Sequence, residues 1–174
     1  NKKETRLRFI KYDAYGNILT VTRSPAKNQA DILISYLWGY HNKLPVAKVE
    51  GASFDQVFYE GFEYETFGPA IIESPPQSKT GKRFQLSQGG FSIPPGKLPQ
   101  QNGNYLLSYW WKQGLNDEWS YQEDTIRHYT PGRAIITSRK NAYIDEIRLY
   151  PFQARMTTFS YNRLLGIKDK TDPN

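Results

Sequence analysis

Three short stretches of the chain are versions of one motif, and about a hundred residues of different character separate the second from the third. The first is Tyr12-Asp13-Ala14-Tyr15-Gly16-Asn17-Ile18-Leu19-Thr20. The second is Tyr36-Leu37-Trp38-Gly39-Tyr40 running into Pro45-Val46-Ala47-Lys48-Val49. The third is Phe159-Ser160-Tyr161-Asn162 running into Leu165-Gly166-Ile167 and Asp172-Pro173-Asn174. Each reads as a β-hairpin unit. Apolar residues recur at period two (Leu7, Phe9; Ile18, Val21; Ile32, Ile34, Tyr36), and Tyr15-Gly16-Asn17 supplies turn residues that tolerate positive φ. A hairpin of this kind cannot bury its apolar face alone and needs neighbours on both sides. The chain is therefore expected to be an excerpt of a repeat array, with hairpins at 1–53 and 156–174 and an inserted module at 54–155.

Composition agrees with an all-β chain. Tyr alone contributes 13 of the 174 residues, and flat rings suit a pleated surface. No amphipathic stretch of helical period is long enough to compete. The absence of Cys excludes disulfides and thiol chemistry. No apolar run reaches membrane-spanning length, so no membrane span is expected, and an export signal is expected upstream of residue 1.

The net charge of +6 invites a nucleic-acid reading, but its distribution argues against one. Residues 54–155 carry 11 Lys and Arg against 11 Asp and Glu, so the module is neutral. The basic excess sits at Lys2, Lys3, Arg6, Arg8 and Lys11 in the first hairpin, where alternate charges on a strand serve solubility or edge protection. No nucleic-acid partner is expected.

The Tyr-Asp-x-x-Gly-Asn-Ile form of residues 12–18 resembles the YD repeat of Rhs-type proteins, large secreted or surface-exposed chains whose repeats coil into a β-sheet shell. The second unit lacks the Asp and the third carries Asn162 in its place. The resemblance implies an extracellular or cell-surface location and a partner in the rest of the parent repeat protein.

Within 54–155, strands are expected at Gln56 to Tyr64, Ala70 to Glu73, Arg83 to Leu86, Phe91 to Ile93, Tyr105 to Gln113, Trp119 to Arg127, Arg133 to Ser138 and Ala142 to Tyr150. Between them lie turn formers such as Pro75-Pro76-Gln77-Ser78, Pro94-Pro95-Gly96 and Asn102-Gly103-Asn104. Eight short strands predict two packed antiparallel sheets, with 105–113 central between 119–127 and 142–150. The hairpins of residues 1–50 are expected to lie outside that core.

Three segments resemble the jelly-roll carbohydrate-binding modules and related lectin-like, galactose-binding-like domains. Gly61-Phe62-Glu63 is similar to their opening, Thr80-Gly81-Lys82-Arg83-Phe84 to the turn entering the next strand, and Tyr143-Ile144-Asp145-Glu146-Ile147-Arg148-Leu149 to their closing strand. The resemblance implies a β-sandwich of jelly-roll type that binds a glycan, with a structural Ca²⁺ joining the opening and closing strands through Glu63 and Asp145. Calcium takes six to eight oxygen ligands, so carbonyls of the turn around Thr80 would complete the set.

Side-chain alternation puts Ser108, Trp110 and Lys112 on one face of their strand, and that polar company marks Trp110 as the outward ring. Sugar binding needs exposed flat rings with polar groups beside them, so the expected glycan site is Trp110 and Tyr121 with Glu123 and Arg127.

Catalysis has little support. The two histidines, His41 and His128, have no serine elbow or Cys ligand to work with. The carboxylates Glu60, Glu63, Glu65, Asp117, Glu118, Glu123 and Asp124 are explained by solvated strand faces, although two across a cleft would serve a glycosidase. The expectation is a non-catalytic binding or adhesion module. The alternatives are a structural insert that stabilises or plugs the repeat shell, favoured if Trp110 is buried, and a glycan-cleaving enzyme.

Overall fold

The computed structural model describes residues 7–24, 30–63, 71–73 (backbone only), 77–162 and 166–172. Lys2, Lys3, Arg6, Tyr64, Glu65, Ala70, Pro75, Pro76, Leu165, Pro173 and Asn174 lie outside the described residues. The described chain is all-β, with two short 3₁₀ turns at Phe54–Gln56 and Pro95–Lys97.

Two antiparallel sheets form a β-sandwich. The first has the order β1 (Leu7–Tyr12), β2 (Ile18–Arg23), β3 (Ile32–Gly39), β4 (Leu44–Glu50), β11 (Arg155–Asn162), β12 (Gly166–Thr171). The second runs β6 (Ile71–Glu73), β7 (Arg83–Ser87), β10 (Ala142–Pro151), β8 (Gly103–Lys112), β9 (Ser120–Tyr129), with β5 (Phe58–Glu60) also paired to β10. As its sequence predicts, β8 lies between β9 and β10. Asp13 makes the first hairpin turn by accepting hydrogen bonds from the main-chain N–H groups of Tyr15 and Asn17 and from the Asn17 amide, while Gly16 takes φ +85°.

The flanks and the insert meet in an unexpected division of labour. All six strands of the first sheet come from the flanks, and all six of the second come from the insert. The junction is the pairing of β4 with β11, where Val49 faces Met156 and Ala47 faces Thr158. The hairpins of 7–50 therefore belong to the sandwich as four of the six strands of one sheet, and β4 contributes to the core that this sheet shares with the insert. Val46, Ala47, Val49 and Met156 pack with Val57, Tyr59, Leu106 and Tyr150. Two expected strands, around Phe91–Ile93 and Arg133–Ser138, join neither sheet. They pair with each other at a single bridge, Ser92 to Ile136, and Phe91, Ile93 and Ile135 cover the other face of β8 and β10. The chain is thus layered as flank sheet, insert sheet and loop cover.

The period-two pattern locates strands but not the face each buries. The register sets Ile34 and Tyr36 opposite Glu50 and Lys48, and sets Ser35 and Leu37 opposite Val49 and Ala47, the row that meets the insert. The apolar alternation of Ile32, Ile34 and Tyr36 therefore falls on the face turned away from the second sheet.

Candidate functional site

Trp110 and Tyr121 are direct cross-strand partners on β8 and β9, with ring centroids 5.3 Å apart at 57°. The Tyr121 hydroxyl donates to Glu123 Oε2 at 3.2 Å. Both rings are half-buried and Glu123 is exposed, so these three residues form one surface cluster. Arg127 is exposed on the same strand but stands six residues beyond Tyr121, roughly 20 Å along an extended chain, and does not join it.

The neighbours that marked Trp110 as outward are themselves buried, Ser108 at 1% and Lys112 at 3% exposure. Burial of Lys112 is tolerated because its ammonium donates to the carbonyls of Gln77 (2.9 Å) and Leu115 (2.6 Å) and lies against the Phe84 and Trp119 rings. Desolvation lowers its pKa, opposed by the charges of Asp117 and Asp145. Polar side chains here line the interior and do not report solvent. Trp110 also has an occupied face, with the Lys79 ammonium 3.6 Å from its ring centroid.

Glu63 and Asp145 grip the same loop from two sides. Asp145 Oδ2 accepts from the main-chain N–H groups of Lys79 (3.0 Å) and Thr80 (3.2 Å), and Glu63 Oε1 accepts from those of Lys82 and Arg83 (2.6 Å each). Between them, the Gly81 N–H donates to Asp169 Oδ2 at 2.9 Å. Five successive N–H groups thus end on three carboxylates from the β5 side, β10 and β12. Gly81 is required twice over: its φ is +56°, and a Cβ there would collide with the Glu63 carboxyl group. Its carbonyl takes the Lys168 ammonium.

These donors do not fit calcium. The ion needs oxygens turned inward, whereas this loop presents N–H groups, and its Gly81 carbonyl is already met by a cation of the chain itself. Among the described residues no group of three or more His, Asp or Glu side chains is arranged to hold a metal ion. Burial raises the pKa of Glu63 against the two N–H bonds. Burial and then the Glu146 carboxylate hold Asp145 well above the ordinary carboxylate range.

Glu146 is the buried link between the sheets. It takes φ +54° in an irregular stretch of the β8–β10 register. Its Oε1 accepts from Tyr59 Oη (2.5 Å) and Thr80 Oγ1 (2.7 Å), and its Oε2 accepts from Arg148 (2.8 Å) and Thr158 Oγ1 (2.8 Å). The Arg148 guanidinium pairs with Glu146 and with neither Asp145 nor Glu63 in the contacts of this network. Asp169 and Lys168 escaped sequence reasoning altogether, because nothing local in β12 signals a loop reached from another sheet. His41 and His128 are exposed at positive φ.

Searches against protein-family models, curated proteins and solved structures each found no match.

Proposed function

We propose that this chain is a non-catalytic part of a repeat β-sheet protein, secreted or at the cell surface, in which residues 54–151 are a structural insert covering the sheet that carries it. The observation that supports this most is the direct pairing of β4 with β11 across the insert. A strand array that resumes its ladder after about a hundred residues is an array into which the insert has been placed, and the insert's sheet buries Val46, Val49 and Met156 of that array. The resemblance of residues 12–20 to a YD repeat points the same way. Joining residue 51 to residue 154 by a short turn tests the covering role. The shortened chain is expected to lose its cooperative unfolding and aggregate, because its inner apolar face is bare. A soluble, cooperatively folded product would refute the reading.

A second reading is favoured by one observation, the Trp110–Tyr121 pair with Glu123 hydrogen-bonded to it. Such a cluster suits the apolar face of an uncharged sugar. A glycan array on the intact chain and on Tyr121→Ala tests it, since binding that survives the substitution removes this face from consideration.

A further inference from the structure

A cleft of about 290 Å³ opens where the flank sheet meets the insert, between Leu37 and Trp38 of β3 on one side and the two 3₁₀ turns on the other. Its polar lining is unusual for this molecule. The chain as a whole carries a net charge of +6, yet among the described residues Asp13, Asp55 and Glu60 line the cleft with Lys97 as the one lining cation, and Lys11 meets Asp55 from the rim. Asp13 keeps its charge: against the burial that would raise its pKa, hydrogen bonds from Asn17 and Tyr15 hold it low. Glu60 is 1% exposed at the floor, where its Oε1 accepts the Phe62 N–H at 2.6 Å. The remaining walls are rich in rings, with Trp38, Phe54, Phe58 and Tyr59 among them.

We infer that this cleft binds a small organic cation, an ammonium group carried on a body about the size of one sugar ring. Carboxylates at the wall of a partly desolvated cleft concentrate counter-charge, and aromatic faces add attraction for an ammonium, while the same rings cover an apolar or hydroxylated body. The molecule already displays the recognition at the rim. The Lys11 ammonium lies 2.7 Å from Asp55 Oδ1 and 5.4 Å from the Phe54 ring centroid. That pair is solvent-exposed on both sides, so an incoming ammonium can displace it at little cost. The site is separate from the Trp110–Tyr121 face and does not depend on the glycan reading.

Two ligand sources share this chemistry, an amino sugar and a lysine side chain, and the test has an arm for each. The ¹⁵N-labelled full chain is titrated with glucosamine, with glucose and with Nα-acetyl-lysine N-methylamide, below the amine pKa. Four tryptophans give four indole N–H signals, with Trp38 reporting the cleft and Trp110 the other face. One or both ammonium compounds are expected to shift Trp38 saturably, with glucose about tenfold weaker than glucosamine. Raising the pH above the amine pKa is expected to abolish the difference between the two sugars. Asp55→Asn at the exposed rim weakens ammonium binding by about the same factor and leaves the fold intact, while Glu60→Gln at the floor is the second variant. No shift of Trp38 with either ammonium, equal shifts with glucose, or a response confined to Trp110 would each overturn the inference.

Discussion

Among the ion pairs of the described residues, Arg148 and Glu146 carry the highest stakes, because both are nearly fully buried. Replacing Arg148 with Met leaves the Glu146 carboxylate without its counter-charge, and the expected loss is about 3–5 kcal/mol in urea unfolding. The double variant Arg148→Met with Glu146→Leu removes both charges and is expected to recover much of that loss. Asp145 gives a pH signature. Its raised pKa means that the folded state prefers the protonated form, so its contribution is whole below the unfolded value of about 3.9 and is lost as pH rises through the folded value. Glu63 is shifted in the same direction by burial. Asp13 and Glu50 are shifted down and act with the opposite sign. The comparison of wild type with Asp145→Asn isolates the first term: the variant is expected to lose less stability than wild type as pH rises from about 4. Parallel pH curves would show that Asp145 does not titrate in this range.

Among the elements, the 78–83 loop has the most specific arrangement, since three strands or strand ends reach it with carboxylates. Asp169→Ala deletes the acceptor of the middle N–H and one of the two ties to β12, leaving Lys168 on the Gly81 carbonyl. It is expected to cost about 1–3 kcal/mol and to speed amide exchange at residues 79–83 ahead of the rest of β7. Because N–H groups and Lys168 already satisfy the carboxylates, melting temperatures in millimolar calcium and in chelator are expected to coincide. A rise with calcium that disappears in Asp145→Ala would restore a metal to the loop. At the edge of the first sheet opposite β12, all six residues of β1 are exposed, and Arg8 and Lys11 stand along it. Two of the five basic residues read from the sequence, Arg8 and Lys11, thus fall on an edge strand among the described residues, where charge discourages pairing with another chain.

At the scale of the whole molecule, the insert has one core of its own, under the loop cover, and shares a second with the flank sheet. Tyr59, Leu106 and Tyr150 of the insert share one cluster with Val46, Val49 and Met156 of the flanks, and the Glu146 network crosses the same interface to Thr158. The chain is therefore expected to unfold as one unit, although its sequence divides into an array and an insert. Single-tryptophan variants keeping Trp38 on the flank sheet or Trp119 on the insert should report the same urea midpoint. Separated midpoints would mean that the two sheets are independent domains.

The sequence by itself determined the strands. Period two, the Asp13-Tyr15-Gly16-Asn17 turn and the Pro and Gly connectors are local signals, and they located β2, β7, β8, β9 and β10 and the place of β8 between β9 and β10, although the central strand of that sheet is β10. It also brought Trp110, Tyr121 and Glu123 together correctly, because cross-strand neighbours of a hairpin follow from register. Tertiary structure alone decided which faces are buried. Alternation shows that two faces differ, not which one meets another layer: Ile34 is buried as its alternation predicts, but on the face turned away from the insert, and Lys112, read as solvated, is buried. Tertiary structure alone decided the partners of the buried charges as well, since Asp169 meets Gly81 across 88 residues and Glu146 meets Thr158 across the two sheets, and no local pattern encodes an approach between layers. The acid-lined cleft belongs to the same class: it exists only where residues of the array and residues of the insert face each other.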